Sequence, residues 1–256
     1  MVLMAETGTE ARPPLLHADA ALFLDFDGTI AAFASRPDGV TVDEQLLTLL
    51  ERLFTRQGGA LALVTGRSLA SLDAMLVSAR YAGAGLHGLE WRVASGKTIS
   101  SANPVGARRY AVALRERFRA DPRLVIEDKG ATVAIHWRQA PERAEECVAA
   151  MREIVASPEF EILLGHAVAE ARPRGADKGS ALRALSTHPP FKGRRPVFVG
   201  DDRTDEDGFF AAQELGGHGV KVGPGTTIAR YRIATVTGVR DWLAASLAAL
   251  GPGATR

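Results

Sequence analysis

Five short, continuously apolar runs, each closing on a polar or Gly-rich turn and followed by a stretch with helical spacing, limit what this chain can fold into. They are Ala21–Phe26, Ala60–Val64, Tyr81–Leu86, Val197–Val199 and Val220–Val222, with a fainter sixth at Ala234–Val236. Unbroken apolarity suits strands buried on both faces, and strand–helix alternation points to a doubly wound parallel α/β sheet. Helical spacing covers Asp43–Arg56, Ser68–Ala79, Lys178–Ser186, Asp205–Leu215 and Val239–Leu250.

Between Trp91 and Arg172 the pattern changes. A helix at Pro104–Arg119 precedes strands at Leu124–Asp128 and Thr132–Trp137, joined by a turn at Lys129-Gly130. A helix at Pro141–Ala156 and two more strands around Gly165 complete an αββαββ unit. A crossover connection needs only about a dozen residues, so this stretch reads as an inserted α+β domain. The expected organisation is a loosely ordered arm over 1–18, a core domain over 19–97 and 173–256, and the insertion over 98–172. A length of 256 residues accommodates both domains.

Lys and Arg number 31 against 30 Asp and Glu, so the net charge of +1 supplies no field for a polyanion such as nucleic acid. A small-molecule substrate fits better. The single Cys147 excludes an internal disulfide and a multi-cysteine metal site, in keeping with a reducing cytosol. The first residues lack a secretory pattern, and no segment reaches the ~18 apolar residues of a membrane span. A soluble, unexported, cytoplasmic monomer is the expectation.

Asp25-Phe26-Asp27-Gly28-Thr29 follows directly on the first apolar run, which places two carboxylates at the C-terminal edge of a sheet strand, where such sheets bind ligands. Side chains at i and i+2 of an extended chain face the same way, so Asp25 and Asp27 can share a site. An Asp-Gly turn explains Asp27-Gly28 but not an ionised Asp25 at the end of LFLDF, which is costly without a partner. Gly200-Asp201-Asp202-Arg203-Thr204-Asp205-Glu206-Asp207 follows another strand and crowds five carboxylates into seven residues. Oxygen ligands without Cys or His suit Mg²⁺ rather than Zn²⁺. A favourable helix dipole accounts for Glu206 and Asp207, and poorly for Asp201 and Asp202. Thr65-Gly66-Arg67-Ser68 ends a strand and opens a helix, as an N-cap or an anion site would. Lys178, in the first turn after Asp177, has the wrong sign for the dipole unless an anion compensates. Together these are the parts of metal-assisted phosphoryl transfer.

These four segments, DxDGT, the strand-ending Thr65, Lys178 and GDDxTD, resemble the four motifs of the haloacid dehalogenase superfamily, in order. The resemblance implies that superfamily's doubly wound, Rossmann-like parallel-sheet core and a C2B cap made by the αββαββ insertion. The strings Gly85-Leu86-His87-Gly88-Leu89-Glu90, Glu127-Asp128-Lys129-Gly130, His136-Trp137-Arg138 and Glu170-Ala171-Arg172-Pro173 resemble those of trehalose-6-phosphate phosphatases. By that resemblance Asp25 is the nucleophile that forms a phosphoaspartate and Asp27 the acid and base. Thr65 and Lys178 hold the phosphoryl oxygens. Mg²⁺ is bound by Asp25, the main-chain carbonyl of Asp27 and Asp201, with Asp202 or Asp205 reaching it directly or through water. Glu127, Lys129 and Glu170 contact sugar hydroxyls, with Arg67 and His87 as further substrate contacts and Glu90 matching a family string. Read alone, Glu127–Gly130 is a solvated hairpin tip, and His87 and Glu90 are structural polar groups. The implied reaction is hydrolysis of trehalose 6-phosphate, the last step of trehalose biosynthesis, under a cap that closes over the disaccharide. A phosphatase of another sugar or polyol phosphate, a non-catalytic sugar-phosphate sensor and a phosphomutase are the alternatives. The retained Asp25, Asp27, Lys178 and Asp201 argue against the sensor, and no residues suggest the second phosphate site of a mutase.

Overall fold

The computed structural model describes residues 11–33, 40, 42–76, 81–93, 96, 99–100 and 104–251, with backbone only at 99, 100 and 104–106. The last residues, 77–79, of the helix expected over Ser68–Ala79, residues 1–10 of the arm and the domain boundary at 97–98 lie outside the described residues. In chain order the elements begin β1 (Ala20–Leu24), α1 (Glu44–Arg56), β2 (Leu61–Val64), α2 (Leu69–Leu76), β3 (Ala82–Gly85), β4 (Glu90–Arg92) and β5 (Ile99–Ser100). There follow α3 (Pro104–Arg117), β6 (Val125–Asp128), β7 (Val133–His136), α4 (Ala144–Ile154), β8 (Phe160–Gly165) and β9 (Val168–Pro173). The chain closes with α5 (Lys178–Ser186), β10 (Arg195–Gly200), α6 (Glu206–Glu214), β11 (His218–Val222), β12 (Tyr231–Ile233) and α7 (Val236–Ala249).

The larger sheet has the order β12-β11-β10-β1-β2-β3-β4-β5. The ladder is parallel from β12 to β3, and β4 joins β3 antiparallel. Strands β4 and β5 have no counterpart among the apolar runs: Glu90-Trp91-Arg92 is short and polar, so hydrophobic period does not mark it. The sixth strand is also displaced. It spans Tyr231–Ile233 rather than 234–236, because Thr235 caps α7 by accepting from the Gly238 amide, which starts that helix at Val236.

Alternation along β1 shows why the sheet is covered on both faces. Leu22 and Leu24 pack with Leu46, Leu50 and Leu53 of α1 and with Val239, Leu243 and Leu247 of α7. Ala21 and Phe23 pack instead with Leu182 and Leu185 of α5 and Phe209 of α6. From β1 the strands progress to β2 and β3 on one side and to β10 on the other, so the chain reverses direction across the sheet between β1 and β10. The loops leaving these two strands therefore diverge around a crevice at their C-terminal ends, the place where open α/β sheets hold ligands.

The described chain divides into two compact units, one of them Ser100–Ala176 and the other holding the flanking segments Val40–Ile99 and from Asp177 onward, with the residues up to Phe33. The inserted unit has its own antiparallel sheet, β6-β7-β9-β8, and its own core of Tyr110, Leu114, Phe118, Val133, Ile135, Met151 and Phe160. Its second helix is preceded by a 3-10 turn at Pro141–Arg143. Residues 11–18 are not the loose arm expected of Pro13-Pro14. Leu16 is buried in the core, its amide donates to Ser246 Oγ at 3.1 Å, and Trp242 Nε1 donates to the Pro14 carbonyl at 3.0 Å. Among the described residues no helix is long and apolar enough to cross a membrane.

Helix α5 lies close against α6, because Gly179 has no side chain where a Cβ would come within 2.3 Å of the Asp207 carbonyl oxygen. Alanine has the better helix propensity by about 1 kcal/mol, but overpacking costs about 1–3 kcal/mol. Gly179→Ala is therefore expected to destabilise the protein in urea denaturation, and a gain in stability would refute the close approach.

Candidate active site

Asp25 follows β1 as an extension of its ladder, its amide donating to the Val199 carbonyl at 2.9 Å. The residue is 4 % exposed. Lys178 Nζ donates to Asp25 Oδ1 at 2.7 Å and to Asp205 Oδ1 at 2.6 Å, and both partners of this ammonium are buried. Local chemistry delivers Lys178 to that place. Asp177 caps α5 by accepting from the Ser180 amide, and Ser180 Oγ accepts from the Asp177 amide in return, so Lys178 is fixed as the first helical residue.

Asp205 is fully buried and holds the loop after β10 together. Its Oδ2 accepts from the amides of Asp201 and Asp202 at 3.0 and 2.9 Å while Oδ1 meets Lys178. Gly200 makes this possible, since a Cβ there would lie 2.3 Å from the Asp205 carboxyl carbon. Gly28, at φ 80°, similarly lets the Asp201 carboxylate approach the turn after β1, where a Cβ would sit 2.3 Å from Asp201 Oδ2.

Carboxylate oxygens of Asp25, Asp201 and Asp205 lie within 4.8 Å of one another. Thr29, fully buried, places Oγ1 at 3.1 Å from Asp25 Oδ2 and 3.2 Å from Asp201 Oδ1. Its single proton is therefore shared between the two carboxylates, which stand close enough for one hydroxyl to bridge them. Burial is the largest cause that raises Asp25 well above the ordinary carboxylate range. Lys178 opposes that rise and the neighbouring Asp205 and Asp201 add to it. Burial, with Asp205 and Asp202 against Lys178 and Lys221, pushes Asp201 up to about 7. Burial alone would lower the Lys178 ammonium, but Asp205 and Asp25 outweigh it and raise it above the usual lysine value. Three carboxylates converging with no nitrogen or sulfur donor are the donor set of a hard divalent cation. The residues therefore fit such an ion.

The other sequence candidates have separate places. Asp27 gives no carboxylate to this cluster. Its Oδ2 and Oδ1 accept from Arg67 Nε and Nη2, both at 2.7 Å, so the Arg67 side chain is engaged with Asp27. Asp202 is exposed and stands outside the cluster; its Oδ1 accepts from the Arg203 amide at 2.7 Å, at the start of a 3-10 turn. Thr65 is buried, and its Oγ1 accepts from the Arg67 amide at 3.1 Å, which leaves the hydroxyl proton as the one it can donate. His87 is buried in the left-handed region at φ 55°, its ring seated against Gly66, where a Cβ would come within 2.7 Å of Nε2. Glu90 Oε1 accepts from the Leu69 amide at 2.5 Å and so caps α2.

Glu127, Lys129 and Glu170 cluster within the inserted unit. Glu127 and Glu170 flank Ala134 in register across three strands. Lys129 Nζ donates to Glu170 Oε2 at 3.0 Å, Thr132 Oγ1 to Glu170 Oε1 at 2.6 Å, and His136 Nε2 lies 2.9 Å from Glu127 Oε2. Burial alone would raise Glu127, but His136 and Lys129 outweigh it and hold the carboxyl below its ordinary value. Two participants were not singled out from the sequence. Thr29 was visible only as the last letter of DFDGT, and Lys221 as a lone charge in the apolar run Val220–Val222.

A family model described as Trehalose-phosphatase matches residues 23–234. The chain is 41% identical over 242 residues to the trehalose-6-phosphate phosphatase of Escherichia coli K12, covering 94% of this chain and 90% of that protein. It is 42% identical over 206 residues to a probable trehalose-phosphate phosphatase of Sinorhizobium fredii, covering 80% and 78%. In fold it is similar to the C-terminal domain of C. albicans trehalose-6-phosphate phosphatase, with a TM-score of 0.78 at 21% identity, covering 90% of this chain and 93% of that one.

The raised carboxyls set a pH dependence. Asp201 near 7 in the folded protein, against an ordinary 3.8, means that the cation-free folded state binds more protons than the unfolded state between about pH 4 and 7. Its stability is therefore expected to fall as pH rises through that window, and a divalent cation, competing with those protons, is expected to raise Tm more at pH 8 than at pH 5.5. Equal shifts at the two pH values would contradict the assignment.

Proposed function

The chain belongs to the trehalose-phosphatase family, and from that premise we propose that it hydrolyses trehalose 6-phosphate to trehalose and inorganic phosphate, the last step of trehalose biosynthesis. The observation that carries the chemistry is the buried contact of Lys178 with Asp25 and Asp205 beside Asp201. A carboxylate nucleophile, a fixed ammonium and an oxygen-only cation site are what a phosphomonoesterase requires.

In this reading an Asp25 oxygen attacks phosphorus, and the bond from phosphorus to the sugar oxygen breaks as the acyl phosphate bond forms. Asp27 gives its proton to the departing sugar oxygen. It then takes a proton from a water whose oxygen attacks the phosphorus, releasing phosphate and restoring the Asp25 carboxylate. Both Asp27 oxygens are engaged by Arg67, so one must exchange Arg67 for the sugar oxygen or the water. Arg67 acts as the hold that keeps Asp27 ready between these steps. Lys178 and the Thr65 hydroxyl hold phosphoryl oxygens and offset the charge that develops there. Asp25, Asp201 and Asp205 would hold Mg²⁺, which when bound would supply Lewis-acid charge beside the phosphoryl group. Asp202, exposed and engaged as a cap, stays outside the site. Glu127, Lys129 and Glu170 bind sugar hydroxyls, a role suited to acceptors and a donor already ordered by Thr132 and His136.

Purified protein is expected to release phosphate from trehalose 6-phosphate far faster than from glucose 6-phosphate or sucrose 6-phosphate, and to stop when Mg²⁺ is chelated. Equal rates across the panel would refute the substrate and leave the chemistry standing. Asp25→Asn should cost about three orders of magnitude or more in kcat, and undiminished turnover would refute the nucleophile. Arg67→Lys, which cannot reproduce the two-pronged contact, should lower kcat by about 10- to 100-fold with KM little changed. A change confined to KM would return Arg67 to substrate binding.

A further inference from the structure

Lys221 lies in β11, whose alternate residues Val220 and Val222 enter the core face shared with α1 and α7. Lys221 points to the opposite side, as does Gly219, which lies against Phe209 of α6. The parallel register pairs Lys221 with Gly200, the last residue of β10 and the first of the acidic loop. The residue is 5 % exposed. Its Nζ donates to the Asp201 carbonyl and, at 2.9 Å, to the Val222 carbonyl. Among the described residues no carboxylate oxygen forms an ion pair with it.

A buried ammonium held only by carbonyl oxygens is costly, and a purely structural role for it is the ordinary alternative. What it pins argues otherwise. The peptide joining Asp201 to Asp202 is held at both edges, its carbonyl by Lys221 and its N–H by Asp205 Oδ2 at 2.9 Å. The Asp201 amide is held by the same Asp205 oxygen at 3.0 Å. The backbone of Asp201 is thereby fixed on both sides of its α-carbon, and with it the origin of the carboxylate that faces Asp25. Asp205, pinned by Lys178, secures the two N–H groups. Among the described residues Lys221 alone secures the carbonyl.

We infer that Lys221 is a positioning residue for the cation site, holding the Asp201 main chain so that its carboxylate is presented to the ion beside Asp25. This rests on the cation role proposed above for Asp201. The two effects of removing Lys221 have opposite signs. Loss of a nearby positive charge would tighten binding of a divalent cation, whereas loss of the hold on Asp201 would weaken it, and outer partners of metal ligands are typically worth about 10- to 100-fold in affinity.

The test is calorimetric titration of the full chain with Mg²⁺ in the absence of substrate, comparing wild type with Lys221→Met. Binding weakened by about tenfold or more is expected, with kcat largely restored at saturating Mg²⁺ and KM for trehalose 6-phosphate little changed there. Unchanged or tighter Mg²⁺ binding would overturn the inference, because charge alone predicts that outcome. Should the Met variant not fold, Lys221→Gln carries the same expectation. Failure of both to fold would make Lys221 a requirement of the core and also overturn it. The titration contains no sugar phosphate, so its outcome does not depend on the substrate assignment.

Discussion

The ammonium of Lys178, withdrawn from water and placed between Asp25 and Asp205, ties together three segments distant in sequence: the turn after β1, the start of α5 and the loop after β10. Each ion alone would be costly to bury, and removing one member of such a group typically costs about 3–5 kcal/mol because the others are left uncompensated. The neighbouring glycines follow from this arrangement. Gly200 allows Asp205 to lie against the end of its own strand, and Gly179 allows α5 to approach α6 closely enough to bring Lys178 in. The sheet, covered on both faces, provides a rigid edge on which these loops meet.

Two carboxylates only two residues apart are given different surroundings. Asp25 is buried with an ammonium, a hydroxyl and two further carboxylates, whereas Asp27 is partly exposed and held by a guanidinium fork. That difference in environment is what the proposed division into nucleophile and proton carrier rests on. The three carboxylates at Asp25, Asp201 and Asp205 exceed the single charge of Lys178, and Lys221 supplies a second ammonium close behind Asp201. A divalent ion added to that set leaves the site positive overall, which is the sign a phosphate monoester requires.

The inserted unit is built on a different logic. Its antiparallel sheet buries one side against α3 and α4, and Glu127, Lys129, Thr132, His136 and Glu170 form a polar network on its strands and hairpin. Such a network presents hydrogen-bonding groups that are already ordered, which lowers the entropy lost when a polyol is bound. The proposed chemistry and the proposed sugar recognition thus fall on separate sheets.

Residue pattern alone was enough for five of the six parallel strands, for α5 to its last residue and for the αββαββ order of the insertion, because these depend on which faces are buried and on local capping. The chemical segments were legible for the same local reason: Asp25 ends an apolar strand and Asp201 to Asp207 crowd their charges within one loop. Partner choice was not legible. That Arg67 meets Asp27 forty residues away, that Asp205 rather than Asp202 turns inward, and that Lys221 reaches the Asp201 carbonyl depend on which loops meet at the sheet edge. The antiparallel β4 and the docking of residues 11–18 on α7 were decided likewise by tertiary contacts. Hydrophobic period and motif spacing record the burial and chemistry of a segment. The long-range hydrogen bonds that assign each charge its partner exist only once the chain has folded.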